Sequence, residues 1–322
     1  MRELRSRFGV NDGGILLTVG LAVVLIYQLL LGVAVDATTQ TYLWAYSFVA
    51  PVLFLLAATV GARLMGVNPL EAIPVRRKLQ PAQAGRIVLL AVLAILAFLP
   101  LATGIQWVFG KMGYHATPTY ADYSSTWWRM LLGLVALAAL PALGEEFLLR
   151  GALFGSLKSK GTVYAILLSS LVFGLMHGSP VQFIHQFLIG CIMAYIVYRT
   201  ECIWGSVLFH FVNNAVVILY EFVYHTAGAT YTIPWWVYLI MFVVATPLLL
   251  WVLWTDKKKY TDATGNEIPM VAAPSLGKGG AFWASRGEYV PYQRQPKPIG
   301  LYVAIALTGV IWLANTIVEW RG

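Results

Sequence analysis

The amino-acid sequence predicts an all-α polytopic membrane protein, and three observations carry that reading. First, its 322 residues are 59% hydrophobic and only 11% charged, where a soluble chain carries roughly 25% charged residues. Mean hydropathy is +0.72. Second, the apolar residues gather in segments close to the ~20 residues that a helix needs to cross the hydrocarbon layer. Third, Lys and Arg sort to alternate connections between those segments.

Nine segments qualify, and the first covers residues 14–35. It exceeds the roughly 7–15 apolar residues of a signal peptide, so it reads as a span despite the basic MRELRSR before it. Residues 43–66, 86–110 and 127–156 follow. The fifth and sixth, 162–178 and 181–199, are short and joined only by Gly178-Ser179-Pro180. They read as an antiparallel pair whose turn dips into the membrane. The last three are 203–226, 234–254 and 299–320. Of the connections, 67–85 is basic and proline-containing, and is expected at the membrane surface. Residues 255–298 form the longest polar stretch, expected to be a solvated insert touching anionic lipid. The ninth span beyond it looks like an appended anchor.

With the N-terminus inside, nineteen of the 22 Lys and Arg fall on the inner side and only Lys111, Arg129 and Arg321 on the outer. A missing or extra span would scatter that pattern, so the cytoplasmic-N, external-C arrangement follows from the positive-inside rule. The formal charge of +8 is therefore a topology signal and not one for nucleic acid. Trp127, Trp128, Trp235, Trp236 and Trp320 fall at span boundaries, as an aromatic belt does. Cys191 and Cys202 are too few for a disulfide framework and read as small packing residues. No internal repeat, dinucleotide fingerprint or phosphate loop is present.

Ionisable residues inside spans are expensive, at about 2.5–3.5 kcal/mol near the bilayer centre on insertion scales. They therefore mark the place to look for chemistry. They are Glu145, Glu146, Arg150, His177, His185, His210, Glu221 and His225, with the amides Asn213 and Asn214. A rise of ~1.5 Å per residue gives their depth. Glu145 precedes Lys158 by 13 residues, about 20 Å. His177 follows Lys160 by 17 residues, about 25 Å. His210 and Asn214 follow Glu201 by 9 and 13 residues, roughly 14 and 20 Å. These groups converge on one level.

Helical spacing assigns faces. Glu146 and Arg150 stand at i and i+4 with the acid first, the favourable order for an ion pair. Glu145 is rotated roughly 100° from its neighbour and is left to face a cavity. His210 and Asn214 share a face, and so do Phe173 and His177. Glu221 and His225, near the outer end of their span, read as a local pair. His185, near the outer turn, reads as a local hydrogen-bonding residue.

Those residue types suit acid–base chemistry. A carboxylate in apolar surroundings binds protons more tightly and serves as a general base near neutral pH. A histidine can hold a water, and a second histidine with an amide can donate to an oxyanion. These parts suffice for water attack on a peptide carbonyl. Glu145, His177 and His210 would alternatively hold zinc with an open position. The residue types leave both readings open.

EEFLLRG at 145–151 resembles the EExxxR motif of the CPBP intramembrane proteases, the CaaX-prenyl-endopeptidase and bacteriocin-processing (Abi) family. FGLMH at 173–177 resembles the family's FxxxH motif, and HFVNN at 210–214 its HxxxN motif. The resemblance covers roughly 125–225. It implies a bundle of about eight helices enclosing an intramembrane catalytic cavity open toward cytoplasm and lipid, with one extra C-terminal span here. It implies Glu145 as the base that activates water, His177 as its orienter, and His210 with Asn214 as the oxyanion site. Glu146, Arg150 and Phe173 would support them. No cofactor is then required, zinc remaining the alternative.

The expected organisation is N-terminal helices with a basic loop (1–126), catalytic core helices (127–226), an eighth span (227–254), a cytoplasmic loop (255–298) and a ninth span (299–322). The expected partners are the lipid bilayer and a membrane protein or peptide substrate, prenylated or not. A bacterial plasma membrane is the expected location. The competing reading is a bacteriocin-immunity or scaffold protein that binds a peptide in the same cavity. A proton-coupled transporter would show repeat symmetry and broken helices in both halves, and neither is present.

Overall fold

The computed structural model describes residues 4–114, 122–228, 233–255 and 297–321, with four two-residue strands between 260 and 290. Among these residues the chain is a helical bundle, an integral multi-pass membrane protein. Eight helices are long and apolar enough to cross a membrane: α1 Asp12–Ala34, α2 Gln40–Leu64, α3 Pro81–Lys111, α4 Trp127–Lys160, α6 Pro180–Thr200, α7 Ile203–Thr226, α8 Trp235–Thr255 and α9 Ile299–Arg321. Between α4 and α6 lies α5, Thr162–Met176, with 15 residues. At ~1.5 Å per residue it reaches about 22 Å, short of the ~30 Å hydrocarbon core. The short fifth segment is therefore confirmed, whereas α6 has 21 residues and is long enough to cross.

The helix ends follow local chemistry. Thr39 caps α2, its hydroxyl accepting from the Tyr42 backbone N–H at 3.3 Å. In the turn before it, the backbone N–H and hydroxyl of Thr38 donate to Asp36, and these hydrogen bonds hold its carboxyl below the usual carboxylate range. Pro81 opens α3 at a position where no N–H is needed. Large apolar side chains such as Leu29, Leu30, Val33, Trp235 and Val243 are exposed, as lipid-facing residues are.

The end of the bundle that carries the basic 67–85 connection is strapped together. The Arg5 backbone pairs with Gly66 and Asn68 (2.8 Å each). The Pro74 carbonyl accepts from Ile203 N–H at 3.1 Å, and that of Val75 from the Trp204 indole at 2.9 Å. Arg77 pairs with Glu201 at 2.5 Å. The basic connection is thus tied over the α6–α7 turn. Cys191 and Cys202 are both free thiols.

The ninth helix departs most from expectation. It is no appended anchor, because Leu301 and Ala304 are fully buried in the main core. The α1 and α9 backbones meet at paired glycines. A Cβ on Gly14 would stand 2.2 Å from the Gly300 carbonyl carbon, and one on Gly300 2.7 Å from the Asn11 carbonyl oxygen. The Gly300 N–H also donates to Asn11 Oδ1 at 3.1 Å. Small residues allow such backbone approach where helices associate in lipid. Within 255–298, Tyr260–Thr261 pairs with Glu267–Ile268 and Phe282–Trp283 with Tyr289–Val290, both antiparallel. The rest of that expected insert lies outside the described residues.

Gly14→Val should lower the stability of the detergent-solubilised protein by about 1–3 kcal/mol through overpacking, read from its unfolding midpoint in SDS. Gly309→Ala, with nothing within 4 Å of its Cβ position, should leave the midpoint in place. An unchanged midpoint in Gly14→Val would contradict the docking of α9.

Candidate active site

Four helices meet around Phe173. The Arg150 guanidinium, on α4, lies 4.5 Å over the Phe173 ring of α5. It donates to Glu146 Oε1 at 2.8 Å and to the Gly190 carbonyl of α6 at 3.1 Å. From α7, His210 Nδ1 reaches the same Glu146 oxygen at 3.0 Å. Edge-on contacts complete the cluster, with His177 at 4.8 Å and His210 at 5.7 Å from the Phe173 centroid. Arg150 and Glu146 are sealed from solvent. In such surroundings each charge requires its partners. Gly190 makes the α6 contact possible, since a Cβ there would stand 3.2 Å from Arg150 Nη2 and 3.0 Å from Ser170 Cβ.

The expected Glu146–Arg150 pair is therefore present. The His210–Glu146 contact is the part that sequence spacing missed. It alters the expectation for His210, because a carboxylate oxygen only accepts. The Nδ1 must carry the proton, so the ring can donate from Nε2 only as imidazolium. His177 Nδ1 lies 2.8 Å from the Phe173 carbonyl and is likewise the protonated nitrogen. Its Nε2 is the acceptor of the neutral ring.

Glu145 stands apart. Among the described residues its carboxylate has no hydrogen bond or ion pair, and it lines a cavity of about 650 Å³. That volume lies within the usual ~300–1,000 Å³ range of small-molecule sites. His177, His210 and Asn214 line the same cavity. Glu146, Arg150 and Phe173 lie behind its wall. Glu145 is held in place by the close approach of α4 to α2, where a Cβ on Gly144 would lie 2.0 Å from the Pro51 carbonyl oxygen.

Helix α4 carries π-helical stretches at Leu134–Ala139 and Phe147–Leu153, on either side of the glutamates. Such widened turns are frequent at functional sites. The first includes Leu137, whose carbonyl accepts from Asn214 Nδ2 at 3.0 Å. Asn213 Nδ2 donates to Asn214 Oδ1 at 3.2 Å. The asparagine amide is thus held on both sides, with one Nδ2–H left over.

Sequence reasoning assigned no role to Asn213, Gln106, Gln182 or Gln186, yet all four line the cavity. The signal for the last two was their i, i+4 spacing in an otherwise apolar helix. His185 also faces the cavity, where a purely local role was expected. Glu221 and His225 are exposed, and no ion pair joins them among the described residues, so the expected local pair is not formed. Nor are three or more His, Cys, Asp or Glu side chains grouped there to hold a metal ion.

Residues 125–216 match the family model described as type II CAAX prenyl endopeptidase, Rce1-like. The matched stretch contains all three motifs and every residue of the Phe173 cluster. No curated protein and no solved structure matches the chain. At family level the match supports a CAAX-type intramembrane endopeptidase acting on a membrane-associated protein. Over residues 125–216, the chain is thus similar to the type II CAAX prenyl endopeptidases.

Proposed function

We propose that this protein hydrolyses a peptide bond of a membrane-associated protein or peptide with water activated by Glu145. The carrying observation is the inequality of two adjacent acids. Glu146 is engaged by Arg150 and His210, whereas Glu145 is the one carboxylate among the cavity-lining residues and makes no hydrogen bond or ion pair among the described residues.

The chemistry follows from the available atoms. A water donates one hydrogen bond to the Glu145 carboxylate and one to His177 Nε2. Its oxygen attacks the carbonyl carbon as Glu145 takes a proton, and a tetrahedral oxyanion forms. His210, as imidazolium, donates to that oxyanion from Nε2, and Asn214 donates its remaining Nδ2–H. Glu145 then passes its proton to the leaving nitrogen as the C–N bond breaks. Phe173, Arg150 and Glu146 keep the two imidazoles in position. Water activation is assigned to side chains, with no step through a metal.

The substrate is a polypeptide attached to the membrane, either a prenylated CaaX-type protein or a small processed peptide. Glu145→Gln should lower cleavage by about 10²–10⁴-fold while the purified protein keeps its unfolding midpoint. Membrane-proteome termini compared between cells producing the parent chain and the variant would show which ends disappear. Identical termini, with the variant folded, would favour a peptide-binding immunity or scaffold protein. Elemental analysis of the purified protein should find no stoichiometric zinc. One zinc per chain, lost in His177→Ala, would overturn the metal-free mechanism.

A further inference from the structure

The cavity occupies only one half of the bundle. On α3 its lining runs from Ala94 to Gly110, and none comes from the first 13 residues of that helix. On α4 it stops at Glu145, with the last 15 residues excluded. On α6 it ends at Ile189, and on α7 it begins at His210. Beyond the helices it continues, among the described residues, to Tyr114, Tyr123, His177 and Ser179, in the α3–α4 and α5–α6 connections. Every one of these limits points to the same end of the bundle.

That end is opposite the basic segments. Arg76, Arg77, Lys78, Lys158, Lys160 and Arg199 cluster at the other end, and the 19-to-3 division of Lys and Arg makes it the cytoplasmic one. The cytoplasmic end is also closed. Below Glu145 come the sealed Glu146–Arg150 pair and the fully buried Leu148, Leu149, Leu153 and Leu157. Ile73 fills the space beside Gly151, where a Cβ would stand 3.0 Å from it. The Pro74–Arg77 strap covers the α6–α7 turn.

The outer half is lined differently. Gln106, Ser179, Gln182 and Gln186 face the cavity from α3 and from the start of α6. Carboxamides and hydroxyls suit a water-filled passage and a peptide backbone, whose polar groups need partners at membrane depth.

From this we infer that the substrate reaches Glu145 from the external side, as a translocated, membrane-attached polypeptide segment. The resemblance to CPBP proteases implied a cavity open to the cytoplasm. A tail anchored on the cytoplasmic leaflet would meet the strap and the closed core before reaching the carboxylate. The inference rests on Glu145 as the acting residue, but it is tested without any cleavage assay.

The test is thiol accessibility in the full-length protein carrying Cys191→Ala and Cys202→Ser. One variant adds Gln186→Cys, a second Gln106→Cys on another helix, and a control Lys78→Cys. Each is exposed to the membrane-impermeant reagent methanethiosulfonate ethylsulfonate in right-side-out and in inside-out vesicles. Both cavity variants should be modified in right-side-out vesicles and unmodified in inside-out ones, with Lys78→Cys reversed. Modification of the cavity positions from the inside-out face, or from neither face, would overturn the inference. So would a Lys78→Cys that reacts in right-side-out vesicles. Any of these results leaves the role of Glu145 standing, because only loss of cleavage in Glu145→Gln bears on that.

Discussion

A carboxylate and a guanidinium sealed from water, with an imidazole at the cavity wall sharing the same carboxylate oxygen, constrain the rest of this bundle. Glu146, Arg150 and His210 come from α4 and α7, and Arg150 also reaches the α6 backbone and the face of Phe173 on α5. Removing any partner would strand a charge in a medium that solvates it poorly, which is why breaking buried pairs costs several kcal/mol. The four helices are therefore held in one relative position. The cavity is what that position leaves open, with Glu145 on its wall.

The surrounding architecture serves the same end. Gly190 lets α6 bring its carbonyl to Arg150, and Gly144 lets α4 lie against α2. The two π-helical stretches bracket the glutamates. The Leu137 carbonyl of the first anchors Asn214. Across the bundle, Gly14 and Gly300 bring α9 against α1, so the last helix contributes to the core.

Much of this was readable from local sequence, because the signals were local. Span lengths, the sorting of Lys and Arg, and the i, i+4 spacing of Glu146 with Arg150 each require only a few neighbouring residues. The three motifs picked out the residues around Phe173, and depth along each helix brought Glu145, His177, His210 and Asn214 to one level. What stayed hidden depended on rotation and partnership between helices. No spacing rule could show that His210 commits Nδ1 to Glu146, or that Gln182 and Gln186 face the cavity and not lipid. The docking of Gly300 against Gly14 joins residues at opposite ends of the chain. A ninth apolar run therefore looked like an anchor until its neighbours were known.

The account stands on the inequality of two adjacent acids, and a double-mutant cycle measures it directly. Unfolding free energies in SDS would be determined for Glu146→Gln, Arg150→Met and their combination, then for Glu145→Gln with the same arginine change. The account predicts a coupling of about 1–3 kcal/mol between Glu146 and Arg150, and a clearly smaller one between Glu145 and Arg150, which share no hydrogen bond among the described residues. Equal couplings, or a larger one for Glu145, would contradict it.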